Sequence, residues 1–360
     1  MKHIIRYRLF AFLLAFVGLV TLMSASQAEK GGLDNVQKFV LEHLADAYEW
    51  HVTTINGHDV IVPLPCIVRS EQTGEWHFFC SSTMEEALHE GAKTYNGFYF
   101  DEEHHGKIYE KLADGTTVRP LDFSITKDVL EIWLVAIILI VVFLSCARWY
   151  RKRDVQDEAP KGFVGLMEMF VMSINDDVIK ASIGEKHYRP YAPYLLTVFF
   201  FIFVNNLVGL VPIFPGGANV MGNINITFLL AVGTMLAINL FGNKEYWKEI
   251  LWPDVPIWLK IPPIMPLIEV FGIFTKPFAL MIRLFANMMA GHAIILSFTF
   301  VIFNTWEISA AMGSIFTVFS TLLMIFLNCL EVLVAFLQAY VFTLLSSVFI
   351  GLAHPEHHHE

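Results

Sequence analysis

The sequence predicts an all-α polytopic membrane protein that carries a small α+β or β-rich extension at its N-terminus. Of the 360 residues, 55% are hydrophobic, and the mean hydropathy is +0.54. Apolar stretches long enough to span a bilayer, which needs about 20 residues, recur after residue 128. The segment 29–127 is polar and mixed in pattern. We expect about five transmembrane helices plus one interfacial amphipathic helix, with the last two spans long and steeply tilted.

Composition excludes several classes of function. The net charge is −10, and the acidic excess lies mostly in the polar N-terminal third, which leaves no basic patch suited to nucleic acid. No Gly-x-x-x-x-Gly-Lys-Ser/Thr run occurs, so we expect no nucleotide site on this chain. We also expect no cofactor.

Residues 1–28 have the organisation of an export signal. Lys2, Arg6 and Arg8 form a positive region, Leu9–Leu22 an apolar core, and residues 26–28 a small-x-small cleavage site. A retained first transmembrane helix is the alternative, although the core is shorter than the roughly 20 residues that a span needs. Either interpretation delivers the domain 29–127 to the periplasm.

The exported segment is predicted to be a small, partly β domain. Leu33–His43 has the pattern of a short amphipathic helix, whereas Asp59–Val68 and Glu75–Cys80 have the composition of strands. Asp114-Gly115 predicts a hairpin between Lys107–Leu112 and Thr116–Pro120.

Cys66 and Cys80 lie on these facing strands and are candidates for a disulfide in an oxidising compartment, which would be worth about 3 kcal/mol. Two free buried thiols are the alternative. Histidines are also frequent here, but their spacing fits no compact metal motif, so we expect solvated surface side chains: His51, His58, His77, His89, His104 and His105.

The membrane domain is predicted over residues 128–360. Its first span, Val129–Ala147, ends at a basic cluster that places this end in the cytoplasm, in agreement with an exported N-terminus. Phe163–Ile179 carries an apolar stripe typical of a helix at the membrane surface, although an ordinary soluble amphipathic helix has the same stripe. Tyr191–Val211 and Ile224–Phe241 are the next spans.

The last two helices are expected at Pro263–Phe303 and Ile308–Leu352. About 40 residues of helix run about 60 Å, twice the hydrocarbon thickness of about 30 Å. These helices must therefore tilt steeply or bend.

Few charges interrupt this apolar region. Between Pro277 and Pro355 the formal charges are Arg283, Glu307 and Glu331. An arginine in an apolar span is costly and marks an ion pathway. At about 100° per residue, Asn287 shares the helix face of Arg283, and His292 lies on the opposite face.

A second polar face is expected on the last helix, where Glu331 and Gln338 are seven residues apart. A buried glutamate and a buried histidine on adjacent helices can exchange a proton near neutral pH. Glu331 and His292 are therefore the predicted proton-relay pair.

These residues resemble a known family. Lys276-Pro277, the run from Arg283 to His292, and Glu331 with Gln338 resemble the a subunit of the F-type ATP synthase membrane sector, over roughly residue 128 to the C-terminus. Ala286 stands where many members have glycine. His292 and Glu331 occur in the reverse of the bacterial order, an exchange that other members show and that preserves the pair.

The resemblance implies a non-catalytic proton-channel subunit of the inner membrane. Protons would enter from the exported side through a half-channel, reach a carboxylate of the c-subunit ring, and leave near Glu269. Arg283 would separate the two paths, and Asn287 belongs to the same motif. The entry path would include the following residues: His292, Glu331, Gln338 and Asn205 or Asn206. The implied partners are the c ring, the b-subunit peripheral stalk, the rest of the ATP synthase and membrane lipid.

Several alternatives stay open at this point. Asn205 and Asn206 could serve inter-helix hydrogen bonding. Glu269, Lys276 and Arg283 recur every seven residues, and a structural salt-bridge ladder is the simpler interpretation for Lys276. A proton- or sodium-coupled secondary transporter would also use Arg283, but it predicts broken helices and a repeat that the sequence does not show. An exported binding module with a membrane anchor would not need five spans.

Overall fold

The computed structural model describes residues 44–55, 58–89, 92–101, 106–112, 114–153, 159–211, 216–251, 264–308 and 310–353. The predicted signal segment and the predicted helix Leu33–His43 lie outside the described residues. The chain divides into two compact units. The first comprises residues 1–134, 207–220 and 289–332, and the second comprises residues 135–206, 221–288 and 333–360.

The β-rich part of the first unit holds three small antiparallel sheets. Its strands are β1 Glu49–Ile55, β2 His58–Pro63, β3 Pro65–Arg69, β4 Trp76–Cys80, β5 Phe98–Asp101, β6 Lys107–Lys111, β7 Thr117–Val118 and β8 Leu121–Asp122. β1 pairs with β2, β3 lies between β4 and β8, and β6 lies between β5 and β7. The predicted hairpin at Asp114-Gly115 is confirmed by the pairing of β6 with β7.

A compact apolar core holds this part together. It consists of buried residues from the strands, from the position just before β1 and from helix α1, Ser81–His89, namely Tyr48, Cys66, Val68, Met84, Phe98 and Ile108. The alternation of β3 explains the pattern, because Cys66 and Val68 point into the core while their neighbours do not. The sequence did not predict α1, β1 or β5.

The disulfide expected between Cys66 and Cys80 is not formed, and both thiols are free. The register pairs Cys66 with Phe79 and Cys80 with Pro65. An offset of one residue directs regular strand side chains to opposite faces of a sheet. Each thiol instead lies 3.8 Å from the carbonyl oxygen of Leu64.

Among the described residues, five helices are long and apolar enough to cross a membrane, in agreement with the predicted number of spans. They are α2 Lys127–Arg151, α4 Tyr188–Gly209, α5 Ile224–Phe241, α7 Ile264–Ile308 and α8 Ala310–Leu352. At 1.5 Å per residue, the 45 residues of α7 extend about 68 Å. A short helix that the sequence did not predict, α6, covers Lys244–Leu251.

The predicted amphipathic helix is present as α3, Phe163–Met172, which continues as a π-helix over Ser173–Lys180. Ile174, Val178 and Ile179 are buried, whereas apolar side chains of α3 such as Phe163 and Met169 are exposed. Its position at a membrane surface stays a prediction.

Aromatic packing and close helix approach organise the second unit. The ring of Phe199 stacks on Phe203 with centroids 5.8 Å apart, and the Phe336 ring meets both edge-on. Near the end of α8, a Cβ at Gly351 would collide with the carbonyl oxygen of Ser182. Glycine is therefore required there by the close backbone contact.

Candidate functional site

The predicted pair His292 and Glu331 comes together in the first unit. His292 lies on α7 and Glu331 on α8, and the Nδ1 and Oε1 atoms are 3.3 Å apart. Both side chains are largely withdrawn from solvent, with exposed fractions of 14% and 6%. Asn328, one helical turn before Glu331, is also buried.

The other imidazole nitrogen defines the proton count of this pair. Nε2 of His292 lies 3.3 Å from the carbonyl oxygen of Gly209, which can only accept a hydrogen bond. Nε2 must therefore carry a hydrogen when this bond forms. Contact between Nδ1 and the Glu331 carboxylate then requires one further proton, located on either group. The geometry suits a pair that holds one transferable proton.

Apart from its contact with His292, the carboxylate of Glu331 has few polar interactions. Among the described residues, neither of its oxygens has a hydrogen-bond partner of good geometry. A buried carboxyl group without hydrogen bonds is costly in its charged form. Proton exchange with His292 is consequently the chemistry that the site favours.

Gly291 makes room for this carboxylate. A Cβ at position 291 would lie 2.5 Å from Oε1 of Glu331 and 3.1 Å from its Cδ. Any larger residue would push the carboxylate away from this position. Gly291 could not be recognised from the sequence, because the contact depends on how two helices cross.

Arg283 has a different environment. It lies on α7 in the second unit and is exposed on the surface of the chain, as is Asn287 one turn later. No hydrogen bond or ion pair joins Arg283 to another residue in the described part of the chain. A guanidinium facing lipid would cost about 3 kcal/mol on insertion scales, so this surface is suited to an anionic group from outside the chain.

The proposed salt-bridge ladder of α7 is not formed. The ammonium group of Lys276 lies over the Phe349 ring, 5.7 Å from its centroid, rather than against Glu269. Glu269 is half-buried, and its Oε2 lies within van der Waals distance of the Gly272 position. The charges on this face therefore do not pair along the helix.

The predicted entry-path residues Asn205 and Asn206 of α4 and Gln338 of α8 occupy buried or half-buried positions in the second unit. Nδ2 of Asn205 donates to Phe201 in its own helix at 2.7 Å, and Nδ2 of Asn206 donates to Ala335 of α8 at 3.4 Å. The amide of Asn206 thus makes an inter-helix hydrogen bond. The side-chain oxygens of both asparagines lack a hydrogen-bond partner among the described residues. Gln338 is half-buried.

Glu131 is a buried acid that the sequence analysis missed. It lies in the second turn of α2 and is 0% exposed. Its Oε2 accepts a hydrogen bond of 3.0 Å from the backbone N–H of Ala218. The rule that identified Arg283, that an ionisable residue inside an apolar span marks function, applies equally to Glu131.

Within the described residues, no group of three or more His, Cys, Asp or Glu side chains could hold a metal ion. The strand histidine His77 instead packs its ring edge-on against Phe98, with centroids 5.2 Å apart.

Comparison with known proteins gives two family matches. The family described as "ATP synthase A chain" matches residues 129–351. A family described as "Domain of unknown function (DUF8433)" matches residues 39–123.

Curated relatives match the membrane part of the chain. A protein named ATP synthase subunit a from Chlorobium phaeobacteroides is 46% identical over 246 residues, covering 66% of this chain and 67% of the relative. ATP synthase subunit a 2 from Chlorobaculum tepidum is 44% identical, covering 67% of each chain. ATP synthase subunit a from Chloroherpeton thalassium is 40% identical, covering 73% of this chain and 76% of the relative.

Proposed function

The chain belongs to the ATP synthase A chain family and is therefore the proton-translocating a subunit of an F-type ATP synthase, and we propose that Arg283, His292 and Glu331 are the residues that carry this function. The relatives do not favour the secondary transporter considered from the sequence.

The exposed position of Arg283 is the observation that carries the proposal. A permanently charged guanidinium on the surface of an apolar span needs a counter-charge that the described chain does not supply. A carboxylate on an adjacent c-subunit ring has the required charge. Arg283 would attract each returning carboxylate, favour its loss of a proton, and repel a proton that would otherwise cross directly.

His292 and Glu331 would deliver the proton on the entry side. The pair holds one transferable proton, and its withdrawal from solvent limits exchange to a defined path. Transfer to a ring carboxylate leaves a neutral carboxyl, which can face lipid, whereas the ionised form is expensive there. Rotation in one direction follows from this difference.

Polar residues of the second unit are further candidates for proton conduction. The side-chain oxygens of Asn205 and Asn206, which have no partner among the described residues, can accept hydrogen bonds from water. Gln338 would serve the entry path with them, as the resemblance of its motif implies. Glu269, on the segment that precedes Arg283, would serve the exit to the cytoplasm. Asn287 shares the exposed surface of Arg283 and would face the ring.

We also propose where the chain lies in the cell and which subunits it contacts. The chain would reside in the cell inner membrane, with residues 1–28 as the export signal, 29–127 as a periplasmic domain and 128–360 as the membrane domain. Its partners would be the c ring, the b-subunit peripheral stalk and the rest of the complex, with lipid around the spans. ATP chemistry would belong to the partner subunits.

Proton leak through vesicles that contain the assembled membrane sector tests the role of Arg283. We expect Arg283→Ala to raise the passive leak, because the barrier charge is lost. Arg283→Lys should impair coupling, since a lysine that the ring covers and withdraws from water can lose its charge, whereas arginine keeps it. Arg151→Ala, which removes an exposed arginine at the end of α2, is the matched control. Wild-type leak and coupling in both Arg283 variants would contradict the assignment.

A further inference from the structure

Glu131 is buried where a carboxyl group is expensive. It is fully withdrawn from solvent in the second turn of a span whose other charges lie in its first and last turns. Ionisable groups in such positions are costly to stability and usually mark a substrate or ion pathway. The mechanism proposed above leaves this residue without a role.

One oxygen of Glu131 is anchored, and the other is available. Oε2 accepts from the N–H of Ala218 at 3.0 Å, which fixes the orientation of the carboxyl group. Oε1 has no hydrogen-bond partner among the described residues. A carboxyl group held by one oxygen presents the other for proton binding.

The free oxygen faces the residue that also contacts His292. A Cβ at Gly209 would lie 3.9 Å from Oε1 of Glu131 and 2.8 Å from the carbonyl oxygen of Ala218. The carbonyl oxygen of Gly209 is itself 3.3 Å from Nε2 of His292. Glu131 and His292 therefore both approach Gly209, and all of these residues lie in the first unit. Because the Gly209 carbonyl can only accept hydrogen bonds, a proton that passes from Glu131 to the pair needs a bridging water.

We propose that Glu131 is a proton-binding group that supplies the His292–Glu331 pair on the entry side of the channel. A proton from outside binds the Glu131 carboxylate and is released to the pair after the pair has given its proton to the ring. Each group returns to its starting state, so one proton enters for each that leaves. This inference rests on the function proposed for His292 and Glu331.

A purely structural role makes a different prediction. If Glu131 only anchors Ala218, then Glu131→Gln should behave as wild type, because the amide oxygen still accepts from the Ala218 N–H. If Glu131 carries protons, the same variant should lose flux. Among the described residues, the charges that act on Glu131 are Lys127 and Asp128 of its own helix, and its neighbours on other segments are the non-titratable Gly209 and Ala218.

Proton flux into vesicles holding the complete ATP synthase separates these possibilities. We expect Glu131→Gln to lower the proton flux about tenfold at neutral external pH. This loss is smaller than the full contribution that positioned proton-transfer groups can make, because water partly replaces the carboxyl group as a proton carrier. The deficit should shrink as the external pH is lowered, since proton delivery then stops limiting the flux. Glu131→Asp, which keeps a carboxyl group, should retain more flux than Glu131→Gln.

Two controls identify which claim fails. Glu185→Gln removes an exposed carboxylate and should leave the flux unchanged. Glu331→Gln should strongly lower the flux at every pH. Wild-type flux in Glu131→Gln, or a deficit that does not change with pH, would overturn the role of Glu131 while Glu331→Gln still lowers the flux. Wild-type flux in both variants would overturn the proposed function as well.

Discussion

Replacing Gly291 with alanine should displace the Glu331 carboxylate while leaving the fold nearly intact. The added Cβ would lie 2.5 Å from Oε1 of Glu331, and ordinary contact begins at 3.4 Å. The carboxylate must therefore move by about 0.9 Å. Because the clash involves the end of a flexible side chain, movement of Glu331 relieves it without a shift of either helix.

The expected effects on stability and on function differ in size. Alanine in place of glycine favours a helix by about 1 kcal/mol, which offsets an overpacking cost of about 1–3 kcal/mol. The free energy of unfolding should thus fall by no more than about 2 kcal/mol. Misplacement of a reacting group by about 1 Å can cost about 100-fold in rate, so proton flux should fall at least about tenfold.

Assembly of the complex and proton flux in vesicles, measured on the same preparation, separate the two effects. Gly272→Ala is the matched control, because its Cβ would meet side-chain atoms no closer than 3.8 Å in the same helix. This control should assemble and conduct as wild type. Full proton flux in Gly291→Ala would refute the claim that the position of the Glu331 carboxylate limits conduction.

Two further predictions concern the β-rich part. Burial, and after it the charge of Asp122, raises the pKa of the Cys66 thiol to about 12. Iodoacetamide at pH 8 should therefore alkylate Cys66 at least about tenfold more slowly than Cys80. Mass spectrometry that shows equal alkylation rates, or a disulfide between the two cysteines, would contradict this prediction. Burial and the hydrogen bond to Asp122 raise the pKa of Tyr48, so the unfolded chain loses the phenol proton at a lower pH than the folded chain does. The stabilisation of the folded state by Tyr48 is therefore complete below about pH 10 and decreases as the pH rises above it. Thermal unfolding should show that Tyr48→Phe is about 1–3 kcal/mol less stable at pH 8 and lacks this alkaline loss, and an unchanged alkaline loss would show that another group causes it.

The membrane spans could be predicted because length and hydropathy alone determine them. The predicted helix Ile224–Phe241 has the observed bounds, since Asn223 caps its start by accepting from the N–H of Asn225 and Gly242 follows its end. Arg283, His292 and Glu331 were identifiable because charged or titratable groups are conspicuous in apolar sequence.

The remaining features depend on contacts between distant segments. Gly291 and Glu331 are 40 positions apart, and only the crossing of α7 and α8 makes the glycine necessary. The disulfide prediction failed for a similar reason, because a strand pattern locates Cys66 and Cys80 but does not give the register between their strands. Glu131 was missed although its signal was present, because Asp128 and Lys127 beside it suggested an ordinary helix start.

The most direct test of the central claim is a double-mutant cycle on the His292–Glu331 pair, with proton flux as the readout. The variants are His292→Gln, Glu331→Gln and the double substitution, all assembled with the c ring. Groups that act as one unit lose their function together, so the double variant should conduct no worse than either single variant. Single losses that multiply in the double variant would show that the two residues act independently and that they do not share a transferable proton.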